Sequence, residues 1–386
     1  MIRVLIADDS AFMRKVLSDM FAKQSDFQVV GTAVNGKDTI DKVKKFQPDI
    51  LTLDVQMPVM DGLEALAIIM DECPLPVVMV SSMTQRGTDA TIRALALGAV
   101  DFVSKAGGPI SKIDTIEDEI LEKCREAAQA HVSKSKAQGK PLVYIPKPAP
   151  ETPPVMKRIE PRRKTGLVLG QKPTITKIPA PVPVKPITTL TSNSLSNKKL
   201  VVIGTSTGGP QALQSVITRL PGDLPCGVVV VQHMPAGFTK SLADRLNSIS
   251  EIAVKEAEND EIIKAGQVYI APGNFHLRIA PIAGNGRKIV LSQEPPVGNH
   301  RPAVNVMFDS AAQFGHDLVS VIMTGMGSDG CEGMKKIKAH GGYSIAQNEE
   351  SCVVYGMPKA VVDAGLADEI QPLTKIAEAI VEAVRR

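Results

Sequence analysis

Residues 51–58, LTLDVQMP, form a short apolar run that stops on a carboxylate, Asp54, and then turns at Pro58. Such a run reads as a buried strand whose carboxyl end opens onto a loop. The same grammar recurs on both sides of it. Upstream, MIRVLIADDS (1–10) meets Asp8 and Asp9; downstream, VVMVSS (77–82) reaches Ser81 and DFVSK (101–105) reaches Lys105. The apolar runs Val4–Ala7, Val29–Gly31, Ile50–Leu53, Val77–Val80 and Phe102–Val103 alternate with amphipathic stretches such as Phe12–Phe21 and Thr88–Leu97. Five βα units of this size predict an α/β domain built on a small doubly wound parallel sheet.

In a parallel sheet all strand carboxyl ends share one edge, where ligands bind. Three carboxylates, a hydroxyl and an ammonium are therefore expected to converge. Clustered carboxylates repel one another, and a hard, oxygen-seeking cation such as Mg²⁺ relieves the repulsion. With such a cation beside it, Asp54 can attack an incoming phosphoryl group. Ser81 and Lys105 are placed to hold the phosphoryl oxygens. One acid at a loop start would read as a helix cap; five matched positions read as a site. The pattern DDS, LDVQMPVMDG, VMVSS and DFVSK resembles the two-component receiver family over residues 1–125. The resemblance implies Asp54 as phospho-acceptor and Mg²⁺ held by Asp8, Asp9, Asp54 and the backbone carbonyl of Gln56. It also implies Ser81 and Phe102 as switch residues beside Lys105. The pattern departs from the family at Ala106, where receivers usually carry proline after the lysine.

From about residue 131 to 197 the periodicity collapses. Twelve of the chain's 28 prolines fall between Pro141 and Pro186. Proline removes a backbone donor and fixes φ, which blocks helix and central strand alike. Residues 131–199 also hold 14 Lys/Arg against Glu151 and Glu160, so the net charge of +3 conceals a strongly basic segment on an acidic remainder. We read 126–197 as a flexible, self-repelling linker, and expect no nucleic-acid partner. No apolar run approaches a membrane span, and the amino terminus lacks the pattern of a signal peptide. Scattered cysteines without a CxxC pair suit reduced thiols in a cytoplasm.

Regularity returns over 198–386, which reads as a second, Rossmann-like parallel α/β domain. LVVIG (200–204), GVVVVQH (227–233), VYIAP (268–272) and LVSVIMTG (318–325) are strand candidates, and IVLSQE (289–294) suggests a hairpin. LVVIGTSTGGPQAL (200–213) runs strand, tight turn, helix, with Ser206 at the tip beside Gly208 and Gly209. A serine there is either a helix cap or an exposed nucleophile. Two other strand ends decide for the nucleophile: His233 follows one strand and Asp329 sits in a glycine-rich turn after another. Serine needs a base, and a carboxylate orients that base and stabilises its cation. The segment Gly325–Gly330 also fits GxGxxG, with Glu349 and Glu350 about 20 residues on, as in dinucleotide sites. That alternative leaves Ser206 and His233 unexplained and sets an acid where a pyrophosphate would lie.

IGTSTGGP, QHMPAGFTKSLADRLN, YIAPGNFHL, HRPAVNVMF, TGMGSDGCEGM and AQNEESCVVYGMPKAV together resemble the chemotaxis protein-glutamate methylesterase (CheB) family across residues 199–385. The resemblance implies Ser206 as nucleophile, His233 as base, Asp329 as its orienting acid and the Met326 backbone N–H as an oxyanion donor. His276, His300 and Arg301 match family positions without an assigned role. It further implies a cytoplasmic, phosphorylation-activated serine esterase. Its substrates would be glutamate methyl esters and selected glutamines of chemoreceptors (methyl-accepting chemotaxis proteins), with a chemotaxis histidine kinase as phosphodonor. Metal is expected only in the receiver, with no cofactor for the esterase reaction and no membrane insertion.

Overall fold

The computed structural model describes residues 1–82, 84–105, 113–130 and 199–386. The expected linker from 131 onward and the loop holding Ala106 lie outside those residues. In the first domain β1 (Ile2–Ala7), β2 (Phe27–Ala33), β3 (Ile50–Asp54), β4 (Val77–Ser82) and β5 (Asp101–Lys105) form one sheet, ordered β2-β1-β3-β4-β5. Every pairing in it is parallel. Helices α1 (Ala11–Ala22), α2 (Gly36–Phe46), α3 (Gly62–Glu72), α4 (Gln85–Leu97) and α5 (Ile113–Ala128) follow the five strands in turn. The first four start on side-chain caps: Ser10, Asn35, Asp61 and Thr84 each accept a backbone N–H three residues on. Each such cap is worth about 1 kcal/mol. Helix α5 runs through the expected boundary at 125 because Ile120, Leu121, Cys124 and Ala127 keep one apolar stripe buried. At i, i+1, i+4 and i+7 they occupy a single helical face.

The second domain holds β6 (Leu200–Thr205), β7 (Gly227–Gln232), β8 (Ala253–Glu256), β9 (Gln267–Ile270), β12 (Leu318–Ile322), β13 (Tyr343–Gln347) and β14 (Glu369–Gln371). They form a seven-stranded sheet ordered β14-β13-β12-β6-β7-β9-β8, parallel throughout. Between them β10 (His276–Pro281) and β11 (Arg287–Ser292) pair as an antiparallel hairpin, as IVLSQE suggested. Six helices complete the domain: α6 (Gly209–Ile217), α7 (Phe238–Ile249), α8 (Val304–Ala311), α9 (Cys331–Ala339), α10 (Met357–Asp363) and α11 (Leu373–Arg385).

The period of two along β6 and β7 sorts the core into layers. Val201, Ile203, Val228 and Val230 pack with Leu213, Leu242 and Ile380 from α6, α7 and α11. Leu200, Val202, Val229 and Val231 pack with Met307 and Phe308 of α8 and Met334 of α9. Each fully buried aliphatic side chain stabilises the fold by about 1.5–3 kcal/mol. The first of these layers is continuous with Ile92, Leu95 and Phe102 of the N-terminal domain, so α4 seats on α6 and α7. Among the described residues no helix is long and apolar enough to cross a membrane.

Candidate active site

Strand β6 lies between β12 and β7, so the chain leaves it in one direction and later returns on its other side. That reversal opens a crevice at the strands' carboxyl ends. Ser206 follows β6, His233 follows β7 and Asp329 lies in the loop after β12. The structure brings all three together. Ser206 Oγ lies 3.1 Å from His233 Nδ1, and His233 Nε2 lies 2.8 Å from Asp329 Oδ2. With Asp329 ionised, Nε2 carries the hydrogen and donates it, which leaves Nδ1 to accept from the serine. The two ring nitrogens thus exchange the roles they hold in the Ser–His–Asp protease template.

Asp329 also accepts the backbone N–H of Val304 (2.6 Å) and Asn305 (2.9 Å), which start α8. Burial alone would raise its pKa, but the His233 hydrogen bond and charge and these two amides outweigh it and hold the carboxyl below 3.8. A carboxylate at a helix amino terminus is favoured in the same sense. Asp329 is therefore charged at neutral pH.

The turn after Ser206 is shaped by a residue the sequence did not single out. Buried Gln232 accepts from Thr205 Oγ1 (2.6 Å) and donates to the backbone carbonyls of Ser206 (3.0 Å) and His233 (3.1 Å). It ties the backbones of Ser206 and His233 to one amide. A Cβ at position 209 would lie 1.9 Å from Gln232 Oε1, which is why only glycine fits there. Met326 is 43% exposed and follows Gly325, where an added Cβ would come within 2.7 Å of Ser206 Cβ. The Met326 backbone therefore borders Ser206. Arg301 is a strut, donating to the carbonyls of Gln293 (3.1 Å) and Glu294 (3.0 Å) and to Asn274 Oδ1 (2.5 Å). Buried His276 donates through Nε2 to Pro295 O at 3.0 Å, steadying the same loop.

The second cluster sits where β1 meets β3, the switch point of the N-terminal sheet. Asp8, Asp9 and Asp54 each offer an oxygen, all within 4.8 Å of one another. Lys105 Nζ lies 2.7 Å from Asp54 Oδ2 and 2.9 Å from Asp8 Oδ2. Asp8 Oδ2 is buried and, despite that ion pair, accepts no well-directed hydrogen bond. A trio of carboxylates this close, with only one ammonium among them, suits a hard divalent cation. Burial pushes the Asp54 carboxyl up, with Lys105 pulling against it. Gln56 lies on the exposed loop after β3, and an open groove of about 550 Å³ beside it is lined by Asp9, Gln56, Met57, Asp61 and Arg93. Ser81 is buried at the end of β4 and donates to Gly87 O (3.2 Å) in the first turn of α4.

The two sites are joined across the domain contact. Thr207, the residue after Ser206, faces Asp101 Oδ2 (3.1 Å) and Glu126 Oε2 (3.2 Å) with one hydroxyl. Gly208 N–H donates to Val100 O at 3.2 Å, and Ser241 Oγ donates to Asp89 Oδ1 at 2.8 Å. Phe102 packs on Phe238 with ring centroids 4.4 Å apart, and Lys123 Nζ stands 5.0 Å from the Phe102 ring. Burial, reinforced by Asp101, raises Glu126 to about 7. None of these pairings shows in the sequence, where Asp101 reads as a strand start and Glu126 falls at the beginning of the expected linker, whereas the structure places it in α5.

The fold and the site define a class: an aspartate-rich receiver seated on an α/β domain with a serine–histidine–aspartate array. The chain matches the CheB methylesterase family over residues 201–380 and the response regulator receiver domain over residues 4–117. It is 44% identical over 387 residues to a protein-glutamate methylesterase/protein-glutamine glutaminase of Halalkalibacterium halodurans, covering 100% of this chain and 99% of that one. It is 46% identical over 385 residues to a protein of the same description from Symbiobacterium thermophilum, covering 99% and 97%. A crystal structure of the Thermotoga maritima CheB methylesterase catalytic domain is 50% identical and covers 48% of this chain and 97% of that one, with a TM-score of 0.47. The chain belongs to the CheB family. It is a receiver-regulated protein-glutamate methylesterase and protein-glutamine glutaminase of chemotaxis adaptation.

Proposed function

We propose that Ser206 attacks the side-chain carbonyl of a glutamate methyl ester on a chemoreceptor, with His233 as base and Asp329 as its orienting acid. The observation that carries this reading is the unbroken hydrogen-bond chain from Ser206 through His233 to Asp329. As Oγ bonds to the carbonyl carbon, its proton passes to His233 Nδ1. Asp329 stabilises the imidazolium, and the Met326 N–H takes the developing oxyanion. The tetrahedral intermediate collapses as His233 returns the proton to the departing methoxide, releasing methanol and leaving an acyl-enzyme. Water, deprotonated by His233, then frees glutamate and Ser206. A glutamine side chain follows the same course with ammonia leaving. Methanol release from methylated receptor membranes, with and without a small phosphodonor, tests the proposal. No release in either condition would refute it.

Asp54 is the proposed phospho-acceptor, with a chemotaxis histidine kinase as donor. Asp8, Asp9, Asp54 and the Gln56 carbonyl would hold Mg²⁺, which supplies charge neutralisation for the incoming phosphoryl group. Lys105 pairs with one phosphoryl oxygen and Ser81 turns toward another. In turning, Ser81 gives up its bond to Gly87 and loosens the first turn of the helix that packs on α6 and α7. Phe102, already against Phe238, repacks with it. The unphosphorylated receiver holds Thr207 and Gly208 beside the nucleophile and obstructs the receptor. The isolated segment 199–386 should therefore exceed the unphosphorylated intact chain in activity and ignore phosphodonor. Asp54→Asn should keep basal activity and lose stimulation. A less active fragment, or full stimulation of Asp54→Asn, contradicts the account.

Glu126 adds a pH dependence to this contact. Its pKa when docked, about 7, stands above the ordinary 4.5, so the docked state binds more protons in that window. Docking is then strongest at low pH and weakens as pH rises through about 7. Repression, read as the ratio of fragment to intact activity, should increase as pH falls through that range. Glu126→Gln should flatten the ratio; a ratio with unchanged slope in that variant would contradict the assignment.

A further inference from the structure

His300 lies outside the hydrogen-bonded trio but touches it. Its ring lies over His233 with centroids 3.7 Å apart and planes 10° from parallel. His233 is fixed in its own plane by hydrogen bonds at both ring nitrogens. Those bonds leave tilting of the ring about the line between them unopposed. Only a contact on the face of the ring resists that tilt, and His300 provides one.

The chain is built to deliver this contact. Val297 and His300 exchange both backbone hydrogen bonds at 3.1 Å, closing a two-residue turn. Gly298 and Asn299, at φ 59° and 66°, both take the left-handed conformation that such a turn requires. Immediately after it, Arg301 anchors the segment to Gln293, Glu294 and Asn274. A few residues on, the N–H groups of Val304 and Asn305 grip Asp329. One stretch, 297–305, thus holds the base by its face and the acid by both oxygens. Burial and the neighbouring His233 lower the His300 pKa to about 4, so the ring is neutral at neutral pH. A neutral aromatic face attracts a cation laid against it.

We propose that His300 is a positioning residue for the esterase reaction. Its imidazole restrains the tilt of His233 and stabilises the imidazolium that forms when Ser206 gives up its proton. This inference rests on the serine-esterase reading above. It requires an aromatic face, not bulk and not a titrating group. The test is kcat and KM for methanol release by the full-length chain carrying His300→Phe, His300→Leu or His300→Gln, with thermal unfolding of each. Phe should stay within about threefold of wild type, while Leu and Gln lose about thirtyfold in kcat at unchanged KM, the scale of a desolvated cation–π contact. Gln decides the matter if Leu fails to fold. A Leu or Gln variant as active as wild type overturns the proposal. So does a Phe variant that falls as far as the others. Ser206→Ala run alongside separates the two readings. Activity surviving in it overturns the serine esterase itself, whereas an inactive Ser206→Ala with a fully active His300→Leu overturns only the role of His300.

Discussion

Ser206→Ala is expected to abolish methanol release, by at least about ten-thousandfold in kcat, while leaving the fold intact. In the proposed mechanism the hydroxyl is the only group of Ser206 that enters the reaction, and removing it takes away the acyl-enzyme route altogether. The backbone at this position is held independently of the side chain. Ser206 N–H donates to Thr324 O (3.0 Å), and its carbonyl accepts from Gly209 N–H (2.7 Å) and from Gln232. Loss of the one side-chain oxygen leaves these backbone bonds in place. Turnover near that of wild type, with an unchanged unfolding midpoint, would refute the nucleophile assignment.

Asp329→Asn is expected to cost about a hundredfold to ten-thousandfold in kcat with little change in KM. The amide keeps the shape of the carboxylate but loses its charge. Where Nδ2 faces His233 it also presents a donor to a ring nitrogen that must itself donate. The imidazole then adopts the other tautomer and turns a proton toward Ser206 instead of a lone pair. The same carboxylate links the site to stability. Its folded pKa lies below the unfolded value near 3.8, so its contribution is complete above that value and disappears as pH falls through the depressed folded pKa. The Asn variant should therefore lose stability at neutral pH and show a shallower acid transition, measured as unfolding midpoint against pH. An acid transition identical to wild type would show that Asp329 is not held as a charged helix cap.

Much of this architecture was legible because its chemistry falls at strand ends. Asp8, Asp54, Ser81 and Lys105 each terminate an apolar run, and parallel topology carries such ends to one edge without further information. Ser206, His233 and Asp329 stand out for the same reason. What stayed hidden depends on contacts between segments remote in sequence. AVKE and EIQ are too short and polar to announce β8 and β14, which survive because they pair at the edges of a sheet whose centre is already buried. Gln232 looks like one more strand residue until the turn at Ser206 folds back over it. Thr207 meets Asp101 and Glu126 across a domain contact that no local pattern encodes. His300 lay in a quoted motif, HRPAVNVMF, yet its stacking follows from the turn at Gly298 and Asn299.

The central claim is that receiver phosphorylation at Asp54 governs access to a nucleophile at Ser206. Labelling of the intact chain by a fluorophosphonate, with the adduct located by peptide mass spectrometry and its rate followed with and without a small phosphodonor, tests both halves together. The account predicts a single adduct on Ser206 whose formation is accelerated by phosphodonor in the wild-type chain and not in Asp54→Asn. An adduct on another residue, or a labelling rate that phosphodonor leaves unchanged in the wild-type chain, would contradict it.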